Sequence, residues 1–240
     1  MNLKYLFTVL FSLFCFVGVN AQFVVPPTPS PTAKVVEKDG VEAELEAEKI
    51  YEAPLTAFFY ANADEVEGFS VVYTWEFMRS GENYPFLTRY DADVQYTFST
   101  SGTVLVYPKI TYTSIADPNV VYEFVPDEPF QIIIAESSIK VPNAFSPNGD
   151  GINDFFNVYE VKSIVEFNAA IYNRWGQQLY SWGIDQIDCE SCGWDGTYKG
   201  KAVKDGVYYV VVTAKGADGI VYEFQRDVNV LRGYIEESAY

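Results

Sequence analysis

Apolar residues in this chain recur at every second position in short runs, and the runs are separated by Asn, Asp, Gly, Ser and Pro. Such alternation marks a strand with one buried face, and the interrupting residues are those that form tight turns with little strain. Six runs fall at 55–61, 71–77, 94–98, 103–113, 120–125 and 130–135, and five more near 155–159, 164–172, 177–182, 207–214 and 220–231. No stretch carries helical periodicity. The turn spacing therefore predicts an all-β chain of two antiparallel β-sandwich domains in tandem, residues 35–136 and 137–233.

The first residues follow a different logic. One early cation, Lys4, precedes the apolar run Leu6 to Val19 and then Val19-Asn20-Ala21. A short apolar stretch behind a cation, ending at small residues, reads as a secretory signal over 1–21, handled by the general secretion machinery and removed by signal peptidase. The run is shorter than a membrane span and lacks a cationic flank behind it. Cys15 is a candidate lipidation site, but Phe14 before it is bulky where that processing takes a small residue. Residues 22–34 place four prolines within 26–31, which predicts an extended, exposed spacer because proline fixes φ and lacks a donor. Residues 234–240 form an acidic tail.

Charge narrows the choice of partners. With 33 Asp and Glu against 16 Lys and Arg, the net charge is −17, so the surface repels phosphate backbones and anionic lipid heads. Nucleic acid is excluded as a partner on that ground, and the same charge suits solubility outside the cell. The chain contains no histidine, hence no Ser-His or Cys-His couple, and no phosphate-cradling glycine loop. Among 33 carboxylates chance pairs abound, so none identifies a glycosidase. The reading is non-enzymatic. Beyond the leader only Cys189 and Cys192 remain, in CESC, whose spacing in a secreted chain most simply closes a local disulfide. Structural zinc would need four Cys or His ligands, and a redox pair would sit at a strand-to-helix turn.

In the first region, VVYTWEF places Val71, Tyr73, Trp75 and Phe77 on one face, with Trp75 as the candidate core plug. Ala53-Pro54-Leu55-Thr56, then Tyr73-Thr74-Trp75-Glu76-Phe77, then Tyr96-Thr97-Phe98 running to Gly102-Thr103 resemble a PKD-type immunoglobulin-like domain. Met78-Arg79-Ser80-Gly81 stands where that family carries Gly-Asp-Gly.

Three blocks organise the second region. In the first, VPNAFSPNGDGINDFF (141–156), clustered oxygens make Asn148, Asp150 and Asp154 candidate ligands for a hard cation such as Ca²⁺, the one cofactor the sequence suggests. The plainer alternative is successive Asn-Gly and Asp-Gly turns whose side chains bond nearby backbone; the spacing is not that of an EF-hand. In the second, IYNRWGQQLY (171–180), Asn173-Arg174-Trp175-Gly176 forms a hairpin turn, with Gly176 supplying positive φ and Trp175 folding back over the sheet beside Arg174. The alternative for Trp175 is binding. In the third, GWDGTYKGKAVKDGVYYVVV (193–212), Trp194-Asp195-Gly196 opens a succession of reversals in which Asp195 bonds amides of its own turn.

In this order the blocks resemble the gliding-motility-associated C-terminal domain, the type B sorting domain of the type IX secretion system, over Ile139 to Gly233. The resemblance implies an immunoglobulin-like module that folds in the periplasm and is recognised by an outer-membrane translocon. Its cargo is then secreted or displayed on the outer cell surface. The expectation is thus an exported protein with a sorting module. The alternative is a surface adhesion module whose exposed aromatics bind a glycan or protein.

Overall fold

The structure, a computed structural model, describes residues 26, 28–36, 40–63, 67–187, 189 and 191–233. The expected leader, most of the residues just behind it and the acidic tail lie outside these residues. Apart from one 3-10 turn at Ile184–Gln186, the regular elements described are strands. No described helix is long and apolar enough to cross a membrane.

Ten strands build the first sandwich: β1 (Thr32–Val36), β2 (Glu42–Glu44), β3 (Ile50–Tyr51), β4 (Leu55–Tyr60), β5 (Phe69–Arg79), β6 (Leu87–Arg89), β7 (Asp93–Phe98), β8 (Gly102–Ser114), β9 (Val121–Phe124) and β10 (Phe130–Ile134). One sheet runs β2-β1-β4-β7 and the other β3-β10-β8-β5-β6, with β9 on β8. Period-two burial is clean along β4, where Leu55, Ala57 and Phe59 point inward. Phe59 reaches across to Trp75 and Phe77 of β5, ring centroids 5.8 and 5.6 Å away. Trp75 is fully buried, as expected of the core plug, and its indole N–H donates to the Asp91 carbonyl at 3.0 Å. Truncating so large a buried ring costs about 3–5 kcal/mol.

The spacer expected through Lys34 ends sooner: β1 begins at Thr32 and pairs along β4 with Ala33 and Val35 in the core. The proline run hides this strand because Thr32–Val36 alone is too short for periodicity to register. The ladders are antiparallel as expected apart from two two-residue edge pairs, in which β3 joins β10 and the later Ala144–Phe145 joins the last strand in parallel.

The second sandwich has β11 (Ser138–Lys140), β12 (Ala144–Phe145), β13 (Tyr159–Lys162), β14 (Ile164–Tyr172), β15 (Gln178–Gly183), β16 (Thr197–Tyr198), β17 (Lys201–Ala202), β18 (Gly206–Gly216) and β19 (Val221–Val230). Its main sheet runs β12-β19-β18-β14-β15. The facing layer consists of the pair β11-β13, the hairpin β16-β17 and a bridge between Phe156 and Trp194. The strand expected over 155–159 is therefore split: Phe156 pairs with Trp194 through both backbone N–H groups, and regular pairing resumes at Tyr159. Between the layers sit Phe145, Phe156, Trp182 and Trp194 against Ile171, Val210, Val212, Val228 and Val230.

The two sandwiches are bonded to each other. Ser163, buried and at φ +44°, accepts the Ala53 amide on its hydroxyl at 3.2 Å and the Ala217 amide on its carbonyl at 2.9 Å. Ala217 lies in the first sandwich's apolar cluster and accepts the Ser101 amide at 3.0 Å. Next to Ala217, Asp218 ties down the start of the second sandwich, taking the Ser137 amide at 2.8 Å and its hydroxyl at 2.7 Å.

Candidate functional site

The β14–β15 turn begins with Asn173. Its side-chain oxygen accepts the amides of Trp175 and Gln177, both at 3.0 Å, and Gly176 takes φ +76° where a side chain would be strained. Side-chain capping of this kind fixes the turn locally. Trp175 does not fold back onto the sheet as expected: it is 80% exposed, with the Arg174 guanidinium 5.2 Å from its ring. Positive φ at Gly176 sets the turn's path but not the direction of the preceding side chain, and here that side chain points outward.

In the third block Trp194 is fully buried and donates its indole N–H to the Thr197 carbonyl at 2.8 Å. Asp195 accepts the Thr197 amide at 2.9 Å, as its position suggested. Gly196, at φ +71°, leaves no room for a Cβ, which would come within 2.8 Å of both the Arg232 guanidinium and the Pro147 ring. Cys189 and Cys192 form a disulfide in the loop leading into this block.

In the first block Asn148, Asp150 and Asp154 share one loop and bond its backbone. Asn148 accepts the Asp150 amide at 3.0 Å, and Asp150 accepts the Ile152 amide at 2.8 Å. Asp154 takes the Gly149 and Gly151 amides on its two oxygens at 2.7 and 2.8 Å, and these bonds hold its carboxyl below the usual range.

The blocks converge at one end of the second sandwich through residues the sequence did not single out. Arg232, just past β19, donates to the Gly196 carbonyl at 2.8 Å, the Val203 carbonyl at 2.6 Å and the Asp205 carboxylate at 3.0 Å. Gln177 beside the first turn donates to the Tyr198 hydroxyl at 3.0 Å. A cation after the last apolar alternation is a weak signal, so Arg232 emerges only from the fold. Burial raises the Tyr208 hydroxyl above its ordinary pKa, Arg232 opposing this and Asp205 adding to it. Among the described residues no group of three or more His, Cys, Asp and Glu is arranged to hold a metal.

Residues 139–225 match the family described as CHU_C Type IX secretion signal domain. The matched span runs from β11 into β19, within the second sandwich. Such a domain marks its chain for export through a type IX system, to the cell surface or beyond it. No curated protein matches the chain in sequence. Among solved structures it is similar to dimeric latent PorU from Porphyromonas gingivalis at 13% identity and a TM-score of 0.25, over 86% of this chain and 20% of that one. The chain thus spans a fifth of that protein's length, and so loose a superposition defines neither fold nor partner.

Proposed function

We propose that this chain is a non-enzymatic secreted or cell-surface protein in which the second sandwich is the export address and the first, read as PKD-like, is the exported body. The observation carrying this is the placement of the secretion-signal match inside one folded module. An outer-membrane translocon would then read a shaped surface rather than a linear tag. The absence of histidine in the sequence leaves the common acid–base couples without a member, which supports the non-enzymatic part. The reading also has residues 1–21 engage the general secretion machinery and signal peptidase. The test is fractionation of native cells expressing the chain with and without residues 137–240, alongside a reporter fused to those residues. Loss of surface delivery on deletion, and its gain by the reporter, are expected; equal delivery of the truncated chain would remove the hypothesis.

A second reading, adhesion, draws on the aromatics around β6. Tyr84 and Tyr90 are 82% and 68% exposed, and Phe86 between them has the Arg79 guanidinium 5.0 Å from its ring. Exposed aromatic faces can stack on sugar rings. Glycan-array binding by the whole chain that disappears in the Tyr84→Ala, Tyr90→Ala double variant would support this reading. Unchanged binding in that variant would reject this site.

A further inference from the structure

Where the second and third blocks meet, an open depression of about 490 Å³ lies between the Asn173–Gly176 turn and the segment entering β18. Trp175 and Arg174 line one side, and Lys204, Val207 and Tyr209 the other. The register places Tyr209 opposite Tyr172 of β14, and alternation along β18 turns Val207 and Tyr209 away from the buried Val210 and Val212. Both are nearly half exposed, at 49% and 43%. Of the four tryptophans, Trp75, Trp182 and Trp194 are buried, and Trp175 alone keeps most of its surface in water. Nothing in the fold of the described residues requires that exposure.

The charges at this end differ from those of the chain as a whole. Arg174 and Lys204 line the depression, and Lys199 and Lys201 lie in the β16–β17 hairpin, in a chain of net charge −17. Elsewhere Lys109, Lys140 and Lys215 each lie within 3.0 Å of a carboxylate. None of the four forms an ion pair among the described residues, although Asp205 also lines the depression and Asp227 lies opposite Tyr209 across the β18–β19 ladder. Asp205 is held by Arg232, and Asp195 accepts its own turn's amide. An exposed Trp with a Tyr, an Arg and a Lys that form no ion pair among the described residues has the composition of a protein-binding hot spot that selects for negative charge. An anionic bilayer is disfavoured by the charge of the remaining surface.

We infer that this end of the second sandwich docks an acidic peptide segment of the export machinery, with Trp175 as the apolar anchor and Arg174 and Lys204 as carboxylate partners. The inference rests on the export reading and adds to it the surface that is read. The probe is a random copolymer of glutamate and tyrosine, titrated calorimetrically into the whole chain. The Arg174→Glu, Lys204→Glu double variant should bind it at least about tenfold more weakly, and wild-type affinity should fall with salt. Trp175→Ala should weaken binding while leaving the melting midpoint unchanged. In native cells the double variant should stay folded in the periplasm. Equal binding by wild type and the double variant, or no binding by wild type, overturns the inference. Stronger binding of heparin or of phosphatidylglycerol vesicles reassigns the surface to a glycan or lipid and also overturns it. So does a wild-type dimer, seen by ultracentrifugation, that the double variant abolishes, or normal surface delivery of the double variant. If instead the chain lacking 137–240 reaches the surface normally, the export reading itself fails, whatever the copolymer does.

Discussion

Replacing Arg232 by methionine keeps the aliphatic stem and removes the guanidinium that clamps one end of the second sandwich. The loss comprises donation to the Val203 carbonyl at 2.6 Å and to the Gly196 carbonyl at 2.8 Å, plus the ion pair with Asp205. Gly196 keeps a second partner, the Val203 amide at 3.0 Å, so the Val203 carbonyl suffers most. Hydrogen bonds to a charged donor are worth about 1.5–3 kcal/mol when buried, and about 1 each is reasonable for carbonyls beside a side chain that retains 23% exposure. The ion pair adds below about 1 kcal/mol, because the Asp205 side chain is 49% exposed and water screens it. Arg232→Met should therefore destabilise by about 2–3 kcal/mol, and Asp205→Asn by less than about 1 kcal/mol. The assay is native-state hydrogen exchange of amides in β18 and β19. There Arg232→Met should speed exchange through global opening roughly 30- to 150-fold and Asp205→Asn less than roughly fivefold. Equal effects of the two substitutions would mean that the ion pair, not the carbonyl clamp, holds this end, and the reasoning would fail.

Three other perturbations probe separate parts of the molecule. Asp218 at the junction has burial raising its pKa, but the Ser137 amide and hydroxyl and the Ile220 amide bring it below its ordinary 3.8. A depressed folded-state value means stability that is present above the unfolded value and lost as pH falls through the folded one. Acid titration of Asp218→Asn should show a lower plateau near neutrality and a shallower loss below pH 3.8 than wild type; matching curves would refute the junction's role. Asp154 already accepts two amides, so calcium should leave the melting midpoint unmoved while Asp154→Ala lowers it by a few degrees. A calcium-dependent rise that Asp150→Ala abolishes would make the loop a cation site instead. Gly193, at φ +101°, packs so closely on the Phe156 carbonyl that a Cβ would overlap it. Gly193→Ala should break the Phe156–Trp194 bridge and cost at least about 3 kcal/mol in urea denaturation, and a cost under about 1 kcal/mol would count against that packing.

Much of the architecture was legible because it depends on local rules. Alternation in VVYTWEF places Trp75 and Phe77 inward whatever the surrounding fold, and Gly176 and Gly196 take the positive φ their turns require. Asn173 and Asp195 cap turns with bonds to residues two and four positions away, so their roles are written in adjacent sequence. The start of β1 is not legible because five residues next to a proline run carry too little pattern. Phe156 defeated the strand assignment because its partner Trp194 is 38 positions distant, and periodicity reports on faces rather than on partners.

Residue order alone determined that the chain is made of strands, where most of its turns fall, that Trp75 lies on an inward-facing position and that the net charge is −17, since each follows from nearest-neighbour sterics or from simple summation. Tertiary structure decided that three separate blocks share one end, that Arg232 clamps it, that Ser163 and Ala217 join the two sandwiches, and that Trp175 faces water. Those outcomes depend on contacts between residues dozens of positions apart. Such contacts exist only once both sheets have closed over their cores and fixed which distant atoms meet.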